Sequence, residues 1–382
     1  MATFEIVCYD SQYQQYVKMY YDNLKQTLVF PNGNPVFVYN GPDYFHLYAP
    51  KNALRVMMGT KCNFKCSYCS QQYNSQSIDG TLKDVDYFIE YFDQHFPNQS
   101  FDEIELWGGE PLVYIKHLYK LIPFLRERYP DTRITIITNG VLLNDVNVEF
   151  FIQHQINVVF SHDGVGQVCR GEDVLSDPHK VELIKYMFDR FVQQQMIIKG
   201  MVNVVINDIN ITHLFESVDL IKNRLGDVFV SCNPMLSLNG RGILSPEQNR
   251  QFIDYCLNNV DKLHDAFDWR INRFKMHLLK HKQSVDYPFC CVSTKNAIVI
   301  DLHFNRSACH NYTKYKGELK LVPIQKKCYD CIALNICRGA CPLASGSDFQ
   351  HTCANKIAFG TVIFAATVYD IVRMPVVNIQ RC

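Results

Sequence analysis

The sequence predicts an α/β protein: a partial (β/α)6 TIM-type barrel followed by a small cysteine-rich C-terminal domain. From about residue 53, short apolar segments alternate with longer helix-like segments, and this rhythm ends near residue 284, where cysteines become frequent. Alternating strands and helices build a parallel sheet with helices outside it. Six predicted strands fit a partial barrel better than a closed eight-stranded one.

The positions of the elements follow from the apolar runs and the turn residues between them. The predicted strands are Leu54–Met58, Asp102–Trp107, Ile134–Thr138, Asn157–Ser161, Gly200–Ile206 and Val228–Cys232. The predicted helices are Leu82–Phe96, Val113–Arg128, Val146–Gln153, Lys180–Gln195, Ile211–Arg224 and Pro246–His264.

The chain divides into four predicted segments. They are an N-terminal lead-in (1–50), the barrel (51–284), the cysteine-rich domain (285–355) and a C-terminal helix and tail (356–382). The lead-in is predicted to hold a short helix at Gln12–Lys25 and a hairpin at Pro35–Tyr48 around the Asn40–Gly41 turn. The apolar run Ile357–Val372 is shorter than the roughly 18 residues that span a bilayer, so we predict a packed helix.

The charge balance limits the partners of the protein. The 382 residues include 38 Lys and Arg and 38 Asp and Glu, which gives a formal net charge of zero. A non-specific nucleic-acid binder needs a surplus of basic residues to displace counterions, so nucleic acid is not indicated as a partner. Met1–Asp10 lacks the basic region and apolar run of a secretory signal. We therefore expect a cytoplasmic protein without a membrane partner.

The 16 cysteines are the most informative part of the composition. Without a secretory signal, clustered cysteines bind metal more often than they form disulfides. The first cluster reads Cys62-Asn-Phe-Lys-Cys66-Ser-Tyr-Cys69. Three thiolates so close together fit one [4Fe–4S] cube and leave its fourth iron open to a small chelating molecule. Zinc is the alternative, but structural zinc sites usually show paired C-x2-C knuckles.

This loop resembles the signature of the radical S-adenosylmethionine (SAM) superfamily, C-x3-C-x-aromatic-C after the first barrel strand. The resemblance implies a cluster on Cys62, Cys66 and Cys69 whose open iron binds the amino and carboxylate groups of SAM. It also implies one-electron cleavage of SAM to a 5′-deoxyadenosyl radical, which abstracts a hydrogen atom from the substrate. Tyr68 takes the aromatic position that contacts adenine in this family.

Residues at the ends of later strands extend the resemblance. Gly108, Gly109 and Glu110 match the GGE motif that binds the SAM amino group, and the glycines permit a close backbone approach to a ligand. The resemblance places four further residues beside SAM: Ser161 and Asp163 near its ribose or carboxylate, Arg170 at its carboxylate, and Asn203 on the fifth strand.

The C-terminal cysteines resemble a SPASM domain, the auxiliary-cluster extension of radical SAM peptide and protein maturases. They read Cys328-x2-Cys331-x5-Cys337-x3-Cys341, then Cys353, and are preceded by Cys290, Cys291 and Cys309. A zinc ribbon is the alternative interpretation. Phe304 replaces the family glycine five places before the second cysteine of the pattern, so we expect the turn there to be built differently.

The ligation pattern of SPASM domains implies two auxiliary clusters. The distal one is held by Cys328, Cys331, Cys337 and Cys353. The nearer one is held by Cys309 and Cys341 with Cys290, Cys291 or both. In the nearer cluster, either both adjacent cysteines bind, or one iron stays open or takes a ligand other than cysteine. The expected cofactors are thus three [4Fe–4S] clusters and SAM.

Three functions are compatible with these motifs. The predicted one is modification of a peptide or protein side chain, with a flavodoxin- or ferredoxin-type electron donor. The second is a reaction on a small molecule, nucleotide or nucleic-acid base, such as a rearrangement. The third, a non-catalytic iron–sulfur or zinc protein, is disfavoured because a scaffold needs neither Tyr68 nor the GGE motif.

His310 is the predicted catalytic base. It directly follows Cys309, where the resemblance to sulfatase-maturating enzymes implies an acidic residue that removes a proton from the substrate. Histidine titrates near neutral pH and can accept a proton. The alternative is that His310 bonds a cluster sulfide or the backbone.

Overall fold

The computed structural model describes residues 2–37, 52–71, 79–194, 196, 200–236, 240–279, 297–309, 317, 324–337, 339, 341, 343–344 and 346–382. The chain forms two compact units. The barrel unit comprises Pro50–Asn233 and Cys291–Lys320. The flanking unit comprises Met1–Ala49, Pro234–Cys290 and Leu321–Cys382.

The elements are numbered in chain order. The strands are β1 (Thr3–Asp10), β2 (Gln15–Asp22), β3 (Thr27–Val29), β4 (Ala53–Met57), β5 (Glu103–Trp107), β6 (Arg133–Thr138), β7 (Asn157–Ser161), β8 (Met201–Ile206), β9 (Phe229–Pro234), β10 (Ala297–Asp301) and β11 (Val376–Arg381). The helices are α1 (Leu82–His95), α2 (Ile115–Arg128), α3 (Asp145–Gln153), α4 (Pro178–Gln193), α5 (Leu214–Leu225), α6 (Pro246–Leu257), α7 (Leu263–Leu279), α8 (Leu334–Cys337) and α9 (Gly346–Val372).

The barrel unit is built on a seven-stranded sheet with the order β10-β4-β5-β6-β7-β8-β9. The registered pairs from β10 through β8 are all parallel. This confirms the predicted α/β fold and the six predicted strands, whose bounds shift by two residues at most. The seventh strand, β10, pairs with β4 although the prediction placed it in the C-terminal domain. The two paired strands are more than 200 residues apart in the sequence, so no local pattern reveals the pairing.

Side chains alternate between the two faces of this sheet, and the two faces differ in polarity. Leu54, Val56, Ile104 and Leu106 on β4 and β5 are fully buried and apolar, as expected for strands covered by helices. The alternate positions carry polar groups such as Arg55, which lies opposite a carboxylate on β5. The concave face of the partial barrel is therefore polar.

The flanking unit contains a sheet with the order β11-β1-β2-β3, and its registered pairs are antiparallel. The predicted helix at Gln12–Lys25 is therefore wrong, because β2 occupies its centre. Met19 and Tyr21 are buried and alternate with more exposed neighbours, the period of a half-buried strand. The predicted hairpin at Pro35–Tyr48 lies largely outside the described residues.

The predicted packed helix at Ile357–Val372 is present as the second half of α9. This helix begins earlier, at Gly346, and includes Cys353. Its first ten residues therefore lie in the segment that was predicted as the cysteine-rich domain (285–355). It is long and apolar enough to cross a membrane, but it is mostly buried inside the protein. The predicted C-terminal tail forms β11, which pairs with β1.

The two units do not follow the predicted segment boundaries. The helices α6 and α7 belong to the flanking unit, whereas the prediction assigned residues 51–284 to the barrel. Residues 291–320, which include β10, belong to the barrel unit rather than to a separate cysteine-rich domain.

Candidate functional site

The loop after β4 brings three cysteine side chains together at the carboxyl end of the sheet. Cys62 is exposed, and Cys66 and Cys69 are partly exposed. Burial raises the pKa of Cys62 and raises that of Cys66 to about 11. The charge of Cys69 also raises the pKa of Cys62, and the charges of Cys62 and Cys69 raise that of Cys66. The three thiols thus lie close enough to influence one another's pKa.

A clamp outside the predicted motifs holds the start of this loop. The Tyr114 hydroxyl accepts a hydrogen bond from Lys61 N (2.8 Å) and donates one to Asp79 Oδ1 (2.5 Å). Asp79 also accepts from Thr60 N (3.2 Å) and pairs with Lys61 Nζ (3.2 Å). Sequence analysis missed this clamp because a Tyr and an Asp carry no motif of their own here.

The Gly-Gly pair at the end of β5 lies directly against the cysteine loop. Gly109 N donates to Gly59 O (3.1 Å), and Glu110 N donates to Lys61 O (2.9 Å). A Cβ on Gly109 would lie only 2.4 Å from Thr60 O and 2.5 Å from Lys61 O. The predicted close backbone approach is therefore made to the cysteine loop itself, and a side chain at this position would displace it.

Glu110 is a buried carboxylate held in one orientation. Its Oε1 accepts from Leu112 N (3.0 Å) and from the Thr138 hydroxyl (2.6 Å), and its Oε2 accepts from Asn139 N (2.8 Å). Burial raises its pKa, and these hydrogen bonds and the charge of Arg170 oppose that rise. A carboxylate has about four acceptor positions, so Oε2 keeps capacity for a further donor such as an ammonium group.

Asp163 lies at the centre of a buried polar network. One of its carboxylate oxygens accepts from the Tyr68 hydroxyl and from Asn207 Nδ2 (3.2 Å). The other accepts from Val205 N (2.9 Å) and lies 3.5 Å from Arg170 Nη1. Both oxygens thus already have protein donors. Asp163 therefore orients Tyr68 and Arg170, and its predicted place near the SAM ribose or carboxylate stays a prediction.

Arg170 links this network to the cysteine loop. Its Nη1 donates to the Tyr68 hydroxyl (3.0 Å), and its positive charge lowers the pKa of both Cys62 and Cys66. Its Nε is buried and has no hydrogen-bond partner among the described residues. A buried guanidinium N–H seeks an acceptor, which a ligand carboxylate provides bidentately. The predicted role of Arg170 at the SAM carboxylate stays a prediction, and its buried Nε is compatible with it.

Ser161 and Asn203 stand opposite each other on β7 and β8. Paired residues of parallel strands point to the same face, so Ser161 and Asn203 lie on the face of the sheet that also carries Arg55. The backbone continues this contact after the strands, where His162 N donates to Asn203 O (3.0 Å). The two predicted residues thus share one wall of the site, while His162 itself pairs with Asp173 (2.7 Å).

Charged pairs on the concave face were not predicted as part of the site. Arg55 binds the Glu105 carboxylate through Nε and Nη2, the latter at 3.2 Å from Oε1. Burial raises the pKa of Glu105, and the charge of Arg55 opposes this. Nearer the amino ends of the strands, Arg133 Nη2 lies 2.8 Å from Glu103 Oε1. The polar wall suits a substrate with hydrogen-bonding groups.

A second set of thiols is gathered in the flanking unit. Its members are Cys328, Cys331, Cys337 and Cys353. Burial raises the pKa of Cys328 and of Cys353 and raises that of Cys331 to about 11, and in each case the charges of other members of the set contribute. The structure thus brings together the four residues that were predicted to hold the distal cluster.

The predicted ligands of the nearer auxiliary cluster are less completely described. Cys290 and Cys291 lie outside the described residues, as does His310. Cys309 follows β10 in the barrel unit and Cys341 belongs to the flanking unit, and both are partly exposed. Their shared ligation stays a prediction.

The turn before Cys309 is not built differently, contrary to the prediction from Phe304. This residue has a φ of 61°, the left-handed conformation that a glycine would take. Its ring stacks on His95 (3.7 Å between centroids) and on Phe88 (4.9 Å). Aromatic packing against α1 therefore offsets the backbone strain, which costs about 1–3 kcal/mol.

Ligand chemistry favours an iron–sulfur cluster at both thiol sets, because soft thiolates are its usual ligands. Among the described residues, no three His, Cys, Asp or Glu side chains are placed to hold one metal ion. In the barrel unit, the three loop thiols, the remaining acceptor capacity of Glu110 and the buried Nε of Arg170 fit an iron–sulfur cluster with an amino-acid ligand beside it.

Comparison with known sequences agrees with this interpretation over part of the chain. Residues 56–167 match the model of the radical SAM superfamily. GTP 3′,8-cyclase of Campylobacter jejuni (strain RM1221) is 31% identical over 96 residues, which cover 25% of this chain and 29% of that protein. GTP 3′,8-cyclase of Clostridium perfringens (strain SM101 / Type A) is 24% identical over 198 residues, or 48% of this chain and 55% of that one. The chain thus matches only part of these relatives.

The fold is similar to that of solved structures over most of the chain. Native anSMEcpe with bound AdoMet has a TM-score of 0.59 and 16% sequence identity, over 84% of this chain and 98% of that one. Its complex with AdoMet and Kp18Cys peptide has a TM-score of 0.58 at the same identity and coverage. At this identity the likeness establishes the fold.

Proposed function

Since the chain carries a domain of the radical SAM superfamily, we propose that it is a radical SAM enzyme that modifies a peptide or protein side chain. The observation that carries the radical SAM part is the contact between the GGE motif and the cysteine loop. Beside this contact, the charges of Glu110 and Arg170 both act on the Cys62 thiol.

The residues of the barrel unit bind and orient the cofactor in this proposal. With a [4Fe–4S] cluster on the loop thiols and SAM on its open iron, reductive cleavage supplies the 5′-deoxyadenosyl radical that abstracts a substrate hydrogen. Glu110 accepts from the SAM ammonium, and Arg170 donates to its carboxylate. Tyr68 lies against the adenine, held by Asp163. Ser161 and Asn203 line the wall toward the substrate.

The four thiols of the flanking unit support the SPASM interpretation and, through it, a peptide or protein substrate. Auxiliary clusters accept the electron that a substrate loses when oxidation follows hydrogen abstraction. The similarity of fold to anSMEcpe, one structure of which holds a peptide, agrees with this choice. A flavodoxin- or ferredoxin-type protein in the cytoplasm would supply the electron that starts the reaction.

A nucleotide or other small molecule is the second candidate substrate. Several of the sequence relatives that the chain matches in part are GTP 3′,8-cyclases. The polar concave face with Arg55 and Glu105 also suits a small polar substrate.

Deuterium transfer distinguishes the two substrate classes. The reduced, reconstituted enzyme is incubated anaerobically with SAM and a deuterated extract of the cells that make it, divided into peptide and small-molecule fractions. We expect deuterium in 5′-deoxyadenosine only with the peptide fraction. Deuterium from the small-molecule fraction alone would favour the second candidate, and no cleavage of SAM under any condition would contradict the assignment as a radical SAM enzyme.

Glu110→Gln should weaken SAM binding by about 1.5–3 kcal/mol, because a charge-assisted hydrogen bond becomes a neutral one. Gln keeps the shape of the side chain, whereas Ala would leave the donors on Leu112, Thr138 and Asn139 without an acceptor. The measurement is a SAM titration of the reconstituted protein. Glu103→Gln, at the other end of β5, is the matched control and should leave the affinity unchanged. Equal affinity in both variants would exclude the role of Glu110.

His310→Gln tests the proposed base. The variant should still form 5′-deoxyadenosine at the wild-type rate, since radical generation does not need this residue, while modified product falls by about 10²–10⁴-fold. The two products are quantified separately in the same reaction by mass spectrometry. Product formation at the wild-type rate would show that His310 is not the base.

A further inference from the structure

The N-terminal sheet of the flanking unit reaches the loop that carries the second thiol set. Asn23 follows β2 directly and is fully buried. Its side-chain Nδ2 donates to Tyr329 O (2.7 Å) and to Cys331 O (3.2 Å). One amide group therefore fixes the backbone of Cys331, a predicted cluster ligand, and that of Tyr329 two residues before it.

A second amide makes the reciprocal contact from the cysteine loop back to the sheet. Asn335 belongs to α8, two residues before Cys337, and is also buried. Its Nδ2 donates to Asn23 O (2.6 Å) and to the Tyr21 hydroxyl (2.9 Å). The two asparagines thus form a latch in which each side chain holds the other segment's backbone.

Apolar contacts surround this latch. Leu24 packs on the small buried cluster formed by Ile324, Cys328 and Leu334. The ring of Tyr21 lies 4.7 Å from that of Phe364 on α9, the helix that carries Cys353. The sheet therefore meets the segments of Cys328, Cys331 and Cys337 through the latch and Leu24. Through Tyr21 it also packs on a later turn of α9, the helix of the fourth thiol.

A small-residue contact closes the other side of the loop. A Cβ on Gly360 of α9 would lie 2.5 Å from the Cβ of Ala333, which stands between Cys331 and Cys337. The loop is thus enclosed between α9 and the N-terminal sheet. Since Asn23 and Asn335 are buried, moving the loop would expose donors and acceptors that are now paired with each other.

We propose that Asn23 and Asn335 are positioning residues for the distal auxiliary cluster, and that the N-terminal sheet serves as the platform that keeps its four thiolates in place. This rests on the proposed function, because it requires a cluster on Cys328, Cys331, Cys337 and Cys353. It assigns a role to the first 37 residues, which the resemblance to SPASM enzymes does not cover. Asn23 does not bind iron; it holds the carbonyl of a residue that does.

The rate at which an anaerobic iron chelator removes iron from the reconstituted full chain tests this proposal. In Asn23→Leu, we expect one phase of about four irons to be lost about tenfold faster, because Cys331 is released from its anchor. Asn23→Asp, which has the same shape but cannot donate, should behave likewise. Tyr21→Phe removes one acceptor of Asn335 and keeps the ring packing, so it should give a smaller acceleration and serves if the Asn23 variants do not fold.

The matched control is Thr367→Val. Thr367 is a buried residue of the same unit whose hydroxyl donates to Ile363 O (2.8 Å) within α9, well past Cys353. The variant loses a buried hydrogen bond and keeps the shape of the side chain, and it should leave iron release unchanged. In the chain that lacks Cys62, Cys66 and Cys69, the accelerated phase should persist.

Two results would overturn the proposal. One is unchanged iron release in Asn23→Asp and Tyr21→Phe; the other is equal acceleration in Thr367→Val, which would indicate general destabilisation. Failure of the proposed function is detected separately, by comparing the iron count of the wild type with that of the chain in which Cys328, Cys331, Cys337 and Cys353 are replaced. If the two counts are equal, there is no distal cluster to position.

Discussion

Replacing Cys62, Cys66 and Cys69 together by Ala is expected to abolish reductive cleavage of SAM and to remove about four of about twelve bound irons. These thiols are the ligands of the proposed catalytic cluster, and alanine offers iron no donor. The fold should persist because the loop is tied to Tyr114 and to the backbone near Gly109, and the hydrogen bond from Phe64 N to Cys62 Sγ (3.3 Å) is local to the loop. Iron analysis and quantification of 5′-deoxyadenosine after anaerobic reconstitution provide the measurement.

Cys169→Ala is the matched control for this variant. The residue lies beside the loop, since its carbonyl accepts from Ser67 N (2.8 Å), but its thiol is directed to Asp208 Oδ1 (3.7 Å). Removing the thiol should change neither the iron count nor the cleavage of SAM. Continued formation of 5′-deoxyadenosine by the triple variant would contradict the assignment of the catalytic cluster.

Replacing Cys328, Cys331, Cys337 and Cys353 by Ala is expected to reduce product formation to background while SAM is still cleaved. The four thiols belong to the flanking unit, whereas the residues of the proposed SAM site belong to the barrel unit. Their loss should therefore remove about four irons and the proposed electron acceptor, but not radical generation. Iron content, 5′-deoxyadenosine and modified product are measured on the same preparation.

Cys256→Ala controls for the loss of a buried thiol in the flanking unit. Cys256 lies on α6, outside the predicted ligand set. The iron count and product yield of the Cys256→Ala protein should therefore match those of the wild type. Zinc instead of iron in the wild-type C-terminal site would show that the SPASM interpretation is wrong. Loss of SAM cleavage in the quadruple variant would show that the two sites are not separable as proposed.

The strands of the barrel could be predicted because their local sequence carries the signal. Buried parallel strands such as β4 and β7 are continuous apolar runs that begin and end at turn residues, and the order of strand, loop and helix repeats along the chain. The cysteine loop and the GGE motif are contiguous in sequence, so their spacing could be recognised without a structure. Parallel strands end at the same edge of a sheet, which already indicated that these motifs would meet.

Other features could not be predicted because they depend on which distant segments pair. The strand β2 was mistaken for a helix because the alternation of buried Met19 and Tyr21 with more exposed neighbours arises only once β1 pairs with it. The strand β10 joins β4 from the other end of the chain. In the same way, Phe304 takes the backbone conformation of a glycine only because His95 and Phe88 are there to stack on it.

The sequence by itself determined the parallel α/β sheet, the three cysteines of the first loop and the four thiols of the second set, since short-range spacing encodes each of them. Only the tertiary structure decided what the polar residues between them do. Asp163 looks like a ligand-binding carboxylate in the sequence, but donors from the cysteine loop and from the residues around β8 occupy both its oxygens. Hydrogen-bond partners come from wherever the fold brings a donor within about 3 Å, and that is not written in the neighbouring residues.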